Sequence, residues 1–182
     1  IRTSTHVHYD LAAFKTTNDL LKFLSLAGLF EKVLFKYVGG EREDSIYCLP
    51  YEKSRGDFQN ISTLRNNPAY LSDHLGRYQA INLQSIYKHG TVEFTHSGAL
   101  TTKKELLEWI NILGCLVKYS SENNFDLDEL SQVCSAKSPL EFLAEVFPDY
   151  HEKLIYAGIE IDIMKGARMV DDLIHAAPLK GQ

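Results

Sequence analysis

Cysteine is scarce in this chain of 182 residues, which contains only Cys48, Cys115 and Cys134. The three thiols are widely spaced, odd in number and form no C-x-x-C pair. A disulfide framework and a zinc knuckle both need paired cysteines, so this spacing excludes both architectures. The cysteine content instead predicts a protein of a reducing, cytoplasmic compartment.

Excess positive charge and long apolar runs are lacking too. The 19 Lys and Arg residues are outnumbered by 24 Asp and Glu residues, which gives a net charge of −5. This sign disfavours a surface that collects nucleic-acid phosphates, and we expect no nucleic-acid partner. The most apolar stretch, Leu20 to Phe30, is interrupted by Lys22 and falls short of the roughly 20 residues that cross a bilayer, so we expect no membrane span.

No linker, internal repeat or low-complexity run divides the sequence, and its five prolines are scattered. With 45% apolar residues, 182 residues can bury one sizeable core, so we predict a single domain over residues 1–182. Because the sequence begins at Ile1 rather than Met, we expect this domain to be N-terminally incomplete. The signatures G-x-x-x-x-G-K, G-x-G-x-x-G, H-E-x-x-H and G-x-S-x-G are all absent from it.

Alternating polarity predicts strands in several parts of the chain. In residues 5–10 the apolar Val7 alternates with His6 and His8, which share the opposite, polar face. Residues 45–49 form a short strand candidate. Residues 78–86 and 91–95 both look extended, and the Lys88-His89-Gly90 turn between them predicts an antiparallel hairpin.

Helices are predicted from apolar spacing and from capping residues. Apolar side chains recur at three- and four-residue steps from Thr17 to Tyr37, which predicts one long buried helix before Gly39. Residues 51–73 mix Gly, Asn, Pro and charges, and predict a long loop. Thr102-x-x-Glu105 and Ser138-Pro139-Leu140-Glu141 each predict the start of a helix.

The chain from Tyr150 to Ala177 also reads as helical, although the alternation of Ile159, Ile161 and Ile163 leaves a strand open. Together these elements predict an α+β fold. In that fold, helices cover one face of an antiparallel sheet and the other face stays polar, as a substrate floor would.

Three side chains on the predicted strands carry the candidate chemistry. His6 and His8 lie about 7 Å apart along one strand face, although two exposed strand histidines would explain this spacing alone. Glu93 falls on the polar face of a second strand, where an ordinary solvated carboxylate is the simpler explanation. If both strands share one sheet, the two imidazoles and the carboxylate meet in one pocket, and this convergence is the central prediction.

Several segments occur in a suggestive order: Thr5-His6-Val7-His8, Phe30-Glu31, Arg42, Tyr47-Cys48-x-Pro50, Arg77-Tyr78-x-Ala80-x-Asn82 and Thr91-Val92-Glu93-Phe94. From Thr5 to about Tyr119 the chain thereby resembles the amidoligase family, a branch of the carboxylate-amine ligases related to glutamine synthetase. The resemblance implies a glutamine-synthetase-like catalytic fold that binds ATP and Mg²⁺. It further implies ATP-dependent amide formation between a small-molecule or peptide carboxylate and an amine, through an acyl phosphate.

The same resemblance assigns roles to individual residues. It implies that Arg77, Glu93 and His8 are catalytic. The implied cofactor-binding residues are His6, His8, Arg77 and Asn82, and the implied metal ligands are His6 and Glu93. These residue types suit phosphoryl transfer, which needs hard cations and positive side chains around negative oxygens. Arg42 and Arg55 are weaker candidates, and Cys48 is interpreted as a small apolar strand residue.

Two departures from the family pattern keep other functions open. The family's Glu-x-Arg is Glu93-Phe94-Thr95 here, so a cation that faces the phosphates is replaced by a hydroxyl. The family's acidic metal-binding strand would precede Ser4, so a missing segment or a second chain would have to supply it. The alternatives are a catalytically degenerate domain that serves as a binding or structural module, and a histidine metal site without ATP chemistry.

Overall fold

The computed structural model describes residues 3–54, 78–125 and 127–175. In these residues an antiparallel sheet has the strand order β1-β3-β2. The strands are β1 (Ser4–Asp10), β2 (Ile81–Asn82) and β3 (Thr91–Gly98). The helices are α1 (Thr17–Leu29), α2 (Glu31–Tyr37), α3 (Ser85–His89), α4 (Lys103–Glu122), α5 (Leu127–Ala136), α6 (Pro139–Val146), α7 (His151–Leu154) and α8 (Ile159–His175). Short 3-10 turns occupy Leu11–Ala13 and Tyr51–Ser54.

The sheet has an apolar back and a polar front. Val7 of β1 and both Val92 and Phe94 of β3 are buried on the back. His8 is paired with Glu93 across the β1-β3 ladder, and Asn82 of β2 is paired with the same glutamate from the other side. The predicted strand at residues 5–10 and its alternation are confirmed.

Helices pack against the apolar back and build one continuous core. The ring of Phe23 on α1 lies 5.6 Å from that of Phe94, edge to face. The hydroxyl of Tyr9 donates to the backbone oxygen of Ile110 on α4. A single cluster of buried side chains connects the sheet to α1, α4, α6 and α8. The predicted combination of helices with a small antiparallel sheet is therefore confirmed.

Two predicted strands are largely wrong. Only Ile81–Asn82 of residues 78–86 pairs in the sheet, and Ser85–His89 forms a short helix that ends at Gly90 with φ of 65°. Residues 45–49 form turns, in which the Cys48 amide donates to the Ser45 oxygen, and Leu49 makes only an isolated parallel bridge. In both segments backbone groups find hydrogen-bond partners within a few residues, which removes them from the ladder.

The long helix predicted over Thr17–Tyr37 is in fact two helices. It breaks at Phe30, whose φ of −94° and ψ of 5° lie outside helical geometry. The Phe30 ring is fully buried and lies 5.6 Å from Phe142 and 5.1 Å from Phe147. Aromatic packing thus marks the position where the chain changes direction.

The other helix predictions are confirmed. Thr102 with Glu105, and Ser138 with Glu141, form complete capping boxes. The strand alternative at Ile159 is wrong, because α8 is helical and exposes Ile161 while it buries Ile159 and Ile163. Within the described ranges, no helix combines the length and apolarity needed to cross a membrane.

Candidate functional site

A pocket of about 530 Å³ lies on the polar front of the sheet. We call it the front pocket. Its walls come from β1, β2, β3, α3 and the turns after α2. The residues that line it include Ser4, His6, His8, Arg42, Tyr47, Tyr78, Asn82, Lys88, His89, Glu93 and Thr95.

Glu93 is the centre of the front pocket. Its Oε1 lies 2.6 Å from His6 Nδ1 and 3.5 Å from His8 Nε2. Its Oε2 accepts a hydrogen bond from the Asn82 amide at 2.7 Å. The two imidazoles and the carboxylate therefore share one pocket, and the central prediction from the sequence is confirmed.

Strand geometry explains why these groups meet. Side chains on one strand alternate between faces, and antiparallel pairing brings His8 directly opposite Glu93. The ladder is irregular between Thr5 and Val7, where His6 lies. Such irregularities redirect a side chain, and here the redirected imidazole makes the shortest contact to Glu93.

Three further residues, absent from the predicted site, hold this cluster from outside. The Ser4 hydroxyl lies 2.9 Å from His6 Nε2, and the Thr91 hydroxyl lies 2.9 Å from His8 Nδ1. The backbone amide of Gln84 donates to Asn82 Oδ1 at 3.0 Å. A sequence signal for the two hydroxyls existed, because Ser4 and Thr91 each precede a site residue by two positions.

Thr95 does not leave a gap where the family has arginine. Its hydroxyl lies 3.3 Å from the Cys48 thiol and donates to the Gln79 oxygen at 3.1 Å. The guanidinium of Arg42 lies beside the same thiol, and its Nε is buried without a hydrogen-bond partner in the described ranges. Burial raises the pKa of Cys48, so this thiol stays protonated; it lies in a turn, not in the strand expected for it.

The front pocket differs in charge from the chain as a whole. Among the described residues that line it, Arg42 and Lys88 are basic and Glu93 is the one acidic residue. The His89 ring of α3 approaches the His8 ring edge to face at 6.0 Å and adds a further imidazole. A pocket of this composition attracts anions although the sequence carries a net charge of −5.

Not every predicted site residue is placed with the others. Arg77 and Arg55 lie outside the described residues, so their roles stay predictions. Within the described part of the chain, no group of three His, Cys, Asp or Glu side chains is arranged to hold a metal ion. His6 and Glu93 contact each other directly, and their predicted metal role also stays a prediction.

A second cavity of about 400 Å³ lies between α1, α2 and α8. Its most unusual residue is Glu31, whose Oε2 accepts the Tyr51 amide at 2.7 Å. Burial raises the pKa of Glu31 well above its usual range. The rest of its described lining contains both acidic and basic side chains, so its composition favours no single ligand class.

Comparison with known protein families finds a match that covers the front pocket. A family model with the description "Putative amidoligase enzyme" matches residues 2–116, a segment that contains every residue of the front pocket. The resemblance deduced from the ordered motifs is thereby confirmed. Neither the curated proteins nor the solved structures include a significant match to the chain.

Proposed function

Because the chain belongs to the family of putative amidoligase enzymes, we propose that it is an ATP-dependent carboxylate-amine ligase that works through an acyl phosphate. Its substrates are a small-molecule or peptide carboxylate and an amine. The observation that carries the proposal is the convergence of His6, His8 and Asn82 on Glu93 in a pocket rich in cations.

The cations of the front pocket would hold the negative oxygens of the reactants. ATP, when bound, supplies the phosphoryl group that activates the carboxylate. Arg42 and Lys88 line the pocket where those oxygens would lie, and charge-assisted hydrogen bonds from such groups are about twice as strong as neutral ones. Arg77 is proposed to join them.

His8 is proposed to take the proton that the amine loses as the amide forms. Its Nδ1 is held by Thr91, while its Nε2 lies only loosely, at 3.5 Å, from Glu93. The carboxylate would stabilise the imidazolium that forms. Proximity of the two reactants in one pocket supplies the rest of the rate enhancement.

Arg42 is proposed to replace the arginine that the family carries at position 95. Both Thr95 and Arg42 contact the Cys48 thiol, so the guanidinium lies next to the position where the family cation would begin. A cation from the turn after α2 therefore compensates for its loss from β3.

Magnesium is only partly provided for by the described residues. Mg²⁺ prefers six oxygen ligands in octahedral geometry, and the front pocket contains one carboxylate, that of Glu93. Substrate oxygens, water or an acidic strand from another segment or chain would have to complete the shell.

We propose that the sheet corresponds to part of a glutamine-synthetase-like catalytic sheet. We also propose that the protein is cytoplasmic, because the thiols of Cys48 and Cys115 are free.

The direct test is to measure ADP release with ATP, Mg²⁺ and panels of carboxylates and amines, and to identify the amide by mass spectrometry. Arg42→Ala should lower kcat/KM by about 10- to 100-fold, since a hydrogen bond to a charged group contributes about 1.5–3 kcal/mol. Lys36→Ala, which removes an exposed cation of α2, is the matched control. A folded wild-type chain that neither binds nucleotide nor releases ADP would refute the proposal.

The second candidate function is a degenerate ligase domain that binds without catalysis. It is favoured by Thr95, which is 5% exposed and fully engaged in hydrogen bonds. A module of this kind would show a melting temperature that rises with ATP concentration, because ligand binding stabilises the folded state, yet it would release no ADP.

A further inference from the structure

Ser4, His6 and Glu93 of the front pocket form a continuous hydrogen-bonded series. Ser4 has no role in the proposed ligase reaction. Ser4 Oγ lies 2.9 Å from His6 Nε2, and His6 Nδ1 lies 2.6 Å from Glu93 Oε1. Hydroxyl, imidazole and carboxylate thus follow one another in the order of a serine nucleophile, its base and the group that orients the base.

The carboxylate determines the direction of these hydrogen bonds. With the Glu93 carboxylate as the acceptor, the 2.6 Å contact is a hydrogen bond from His6 Nδ1–H. A neutral imidazole with Nδ1–H carries its lone pair on Nε2, which then accepts from the Ser4 hydroxyl. The Asn82 amide donates to the other oxygen of Glu93, so the carboxylate is held from both sides.

The series is also accessible in the way that acyl transfer requires. The His6 side chain is 42% exposed, whereas that of Glu93 is 12% exposed, so a substrate can approach the imidazole while the carboxylate stays shielded. Ser4 lines the same pocket, together with the guanidinium of Arg42, which offers positive charge to a developing oxyanion.

We propose that Ser4, His6 and Glu93 form a nucleophilic triad that gives the protein an ATP-independent acyl-transfer activity on activated esters. Ser4 Oγ attacks the carbonyl carbon and its proton passes to His6 Nε2. The bond to the leaving oxygen breaks, the leaving group takes that proton, and an acyl-Ser4 ester remains. Water then attacks the ester, returns a proton through His6 to Ser4 Oγ, and releases the carboxylic acid.

The triad is tested on the full chain without ATP and without a polyhistidine tag, since added imidazoles hydrolyse activated esters themselves. A fluorophosphonate probe should form one covalent adduct, which mass spectrometry of peptides should locate on Ser4. 4-Nitrophenyl acetate should be hydrolysed above the rate of buffer. Ser4→Ala should remove the adduct and lower the rate at least about tenfold.

Two further variants separate catalysis from a structural role. His6→Gln should remove both the adduct and hydrolysis, and Glu93→Gln should slow both, because an amide orients the imidazole less firmly. Ser121→Ala is the control, because the Ser121 hydroxyl donates to backbone oxygens of the last turns of α4, and the rate of this variant should equal that of the wild type. An adduct elsewhere, no adduct on the folded wild-type chain, or full hydrolysis by Ser4→Ala would overturn the triad. None of these outcomes depends on whether the ATP-dependent ligase reaction is found.

Discussion

Gly166 of α8 packs directly against the backbone of Leu29 at the end of α1. A Cβ at Gly166 would lie 2.0 Å from the Leu29 carbonyl oxygen and 2.8 Å from its carbonyl carbon. No side chain fits at this distance, so the two helices can approach this closely only because residue 166 is glycine.

Gly166→Ala should therefore destabilise the protein, by about 1–3 kcal/mol if the helices move apart. The sign of the change in unfolding free energy is informative, because Gly→Ala inside a helix ordinarily stabilises a protein by up to about 1 kcal/mol. Urea unfolding of the variant is the measurement. Gly98→Ala, where a Cβ would meet nothing within 4 Å, is the control and should be neutral or slightly stabilising. Equal stability of Gly166→Ala and wild type would contradict the close approach.

Lys22 is a buried cation whose partner can be removed. Its side chain is 4% exposed. Its Nζ lies 3.1 Å from Asp19 Oδ1 and donates a hydrogen bond to the backbone oxygen of Asn123 at 2.8 Å. Asp19→Asn should cost about 3–5 kcal/mol, because it leaves a buried charge without its counter-ion. The double variant Asp19→Asn, Lys22→Met should regain much of this loss, and a double-mutant cycle measures the coupling. Additive losses would contradict the pairing.

Acid should weaken the same ion pair. Hydrogen bonds from Lys22 and Thr16 outweigh the opposing effect of burial and lower the pKa of Asp19. A carboxyl whose folded-state pKa is lowered stabilises the protein above its unfolded-state pKa, and this stability is lost as pH falls through the folded-state value. The difference in unfolding free energy between wild type and Asp19→Asn should thus shrink at acidic pH.

His96 should make stability fall on mild acidification. It is buried among Phe35, Phe94 and Trp109, and burial lowers its pKa to about 3, with a smaller contribution from Arg42. The unfolded histidine accepts a proton near pH 6.5 but the folded one does not. Below that pH the free energy of unfolding should therefore fall by about 1.4 kcal/mol per pH unit.

His96→Phe isolates this contribution, because both ring nitrogens lack a hydrogen-bond partner among the described residues and an apolar ring loses no such bond. Urea midpoints of the variant between pH 7.5 and 5 should decline less steeply than those of the wild type. Parallel curves would show that the folded protein can protonate His96.

Thr95→Arg should not create a better ligase if Arg42 already supplies the cation. Thr95 is 5% exposed and donates to the Gln79 oxygen, so an arginine there displaces packed groups and should cost about 1–3 kcal/mol. ADP release per folded molecule should stay level or fall. A rise in that rate, with Arg42 intact, would show that the family cation was missing.

Much of the local structure could be predicted because its causes lie within a few residues. The capping boxes at Thr102 and Ser138 join groups three positions apart, and the alternation around Val7 follows from the pleat of one strand. The same alternation also predicts that His6, His8 and Glu93 lie on polar faces, without information on their partners. The ordered motifs carried the family assignment for a similar reason, since they need only spacing along the chain.

The break at Phe30 and the helix at residues 85–89 could not be predicted, because neither follows from local propensity. Phe30 bends the chain where its ring meets Phe142 and Phe147, which lie more than a hundred positions later. The chain leaves the sheet after Asn82. Residues 85–89 then form hydrogen bonds within a short helix instead of ladder hydrogen bonds to β3.

The order of the residues therefore determined which faces are polar and where helices start. It also determined which family the chain belongs to. The contact of Ser4 with His6, the approach of Arg42 to Cys48 and the packing of Gly166 on Leu29 arose only on folding. Each depends on side-chain orientation or on backbones brought together from separate elements. Sequence patterns record the period of an element, whereas distances of 2–4 Å across elements depend on how the whole core packs.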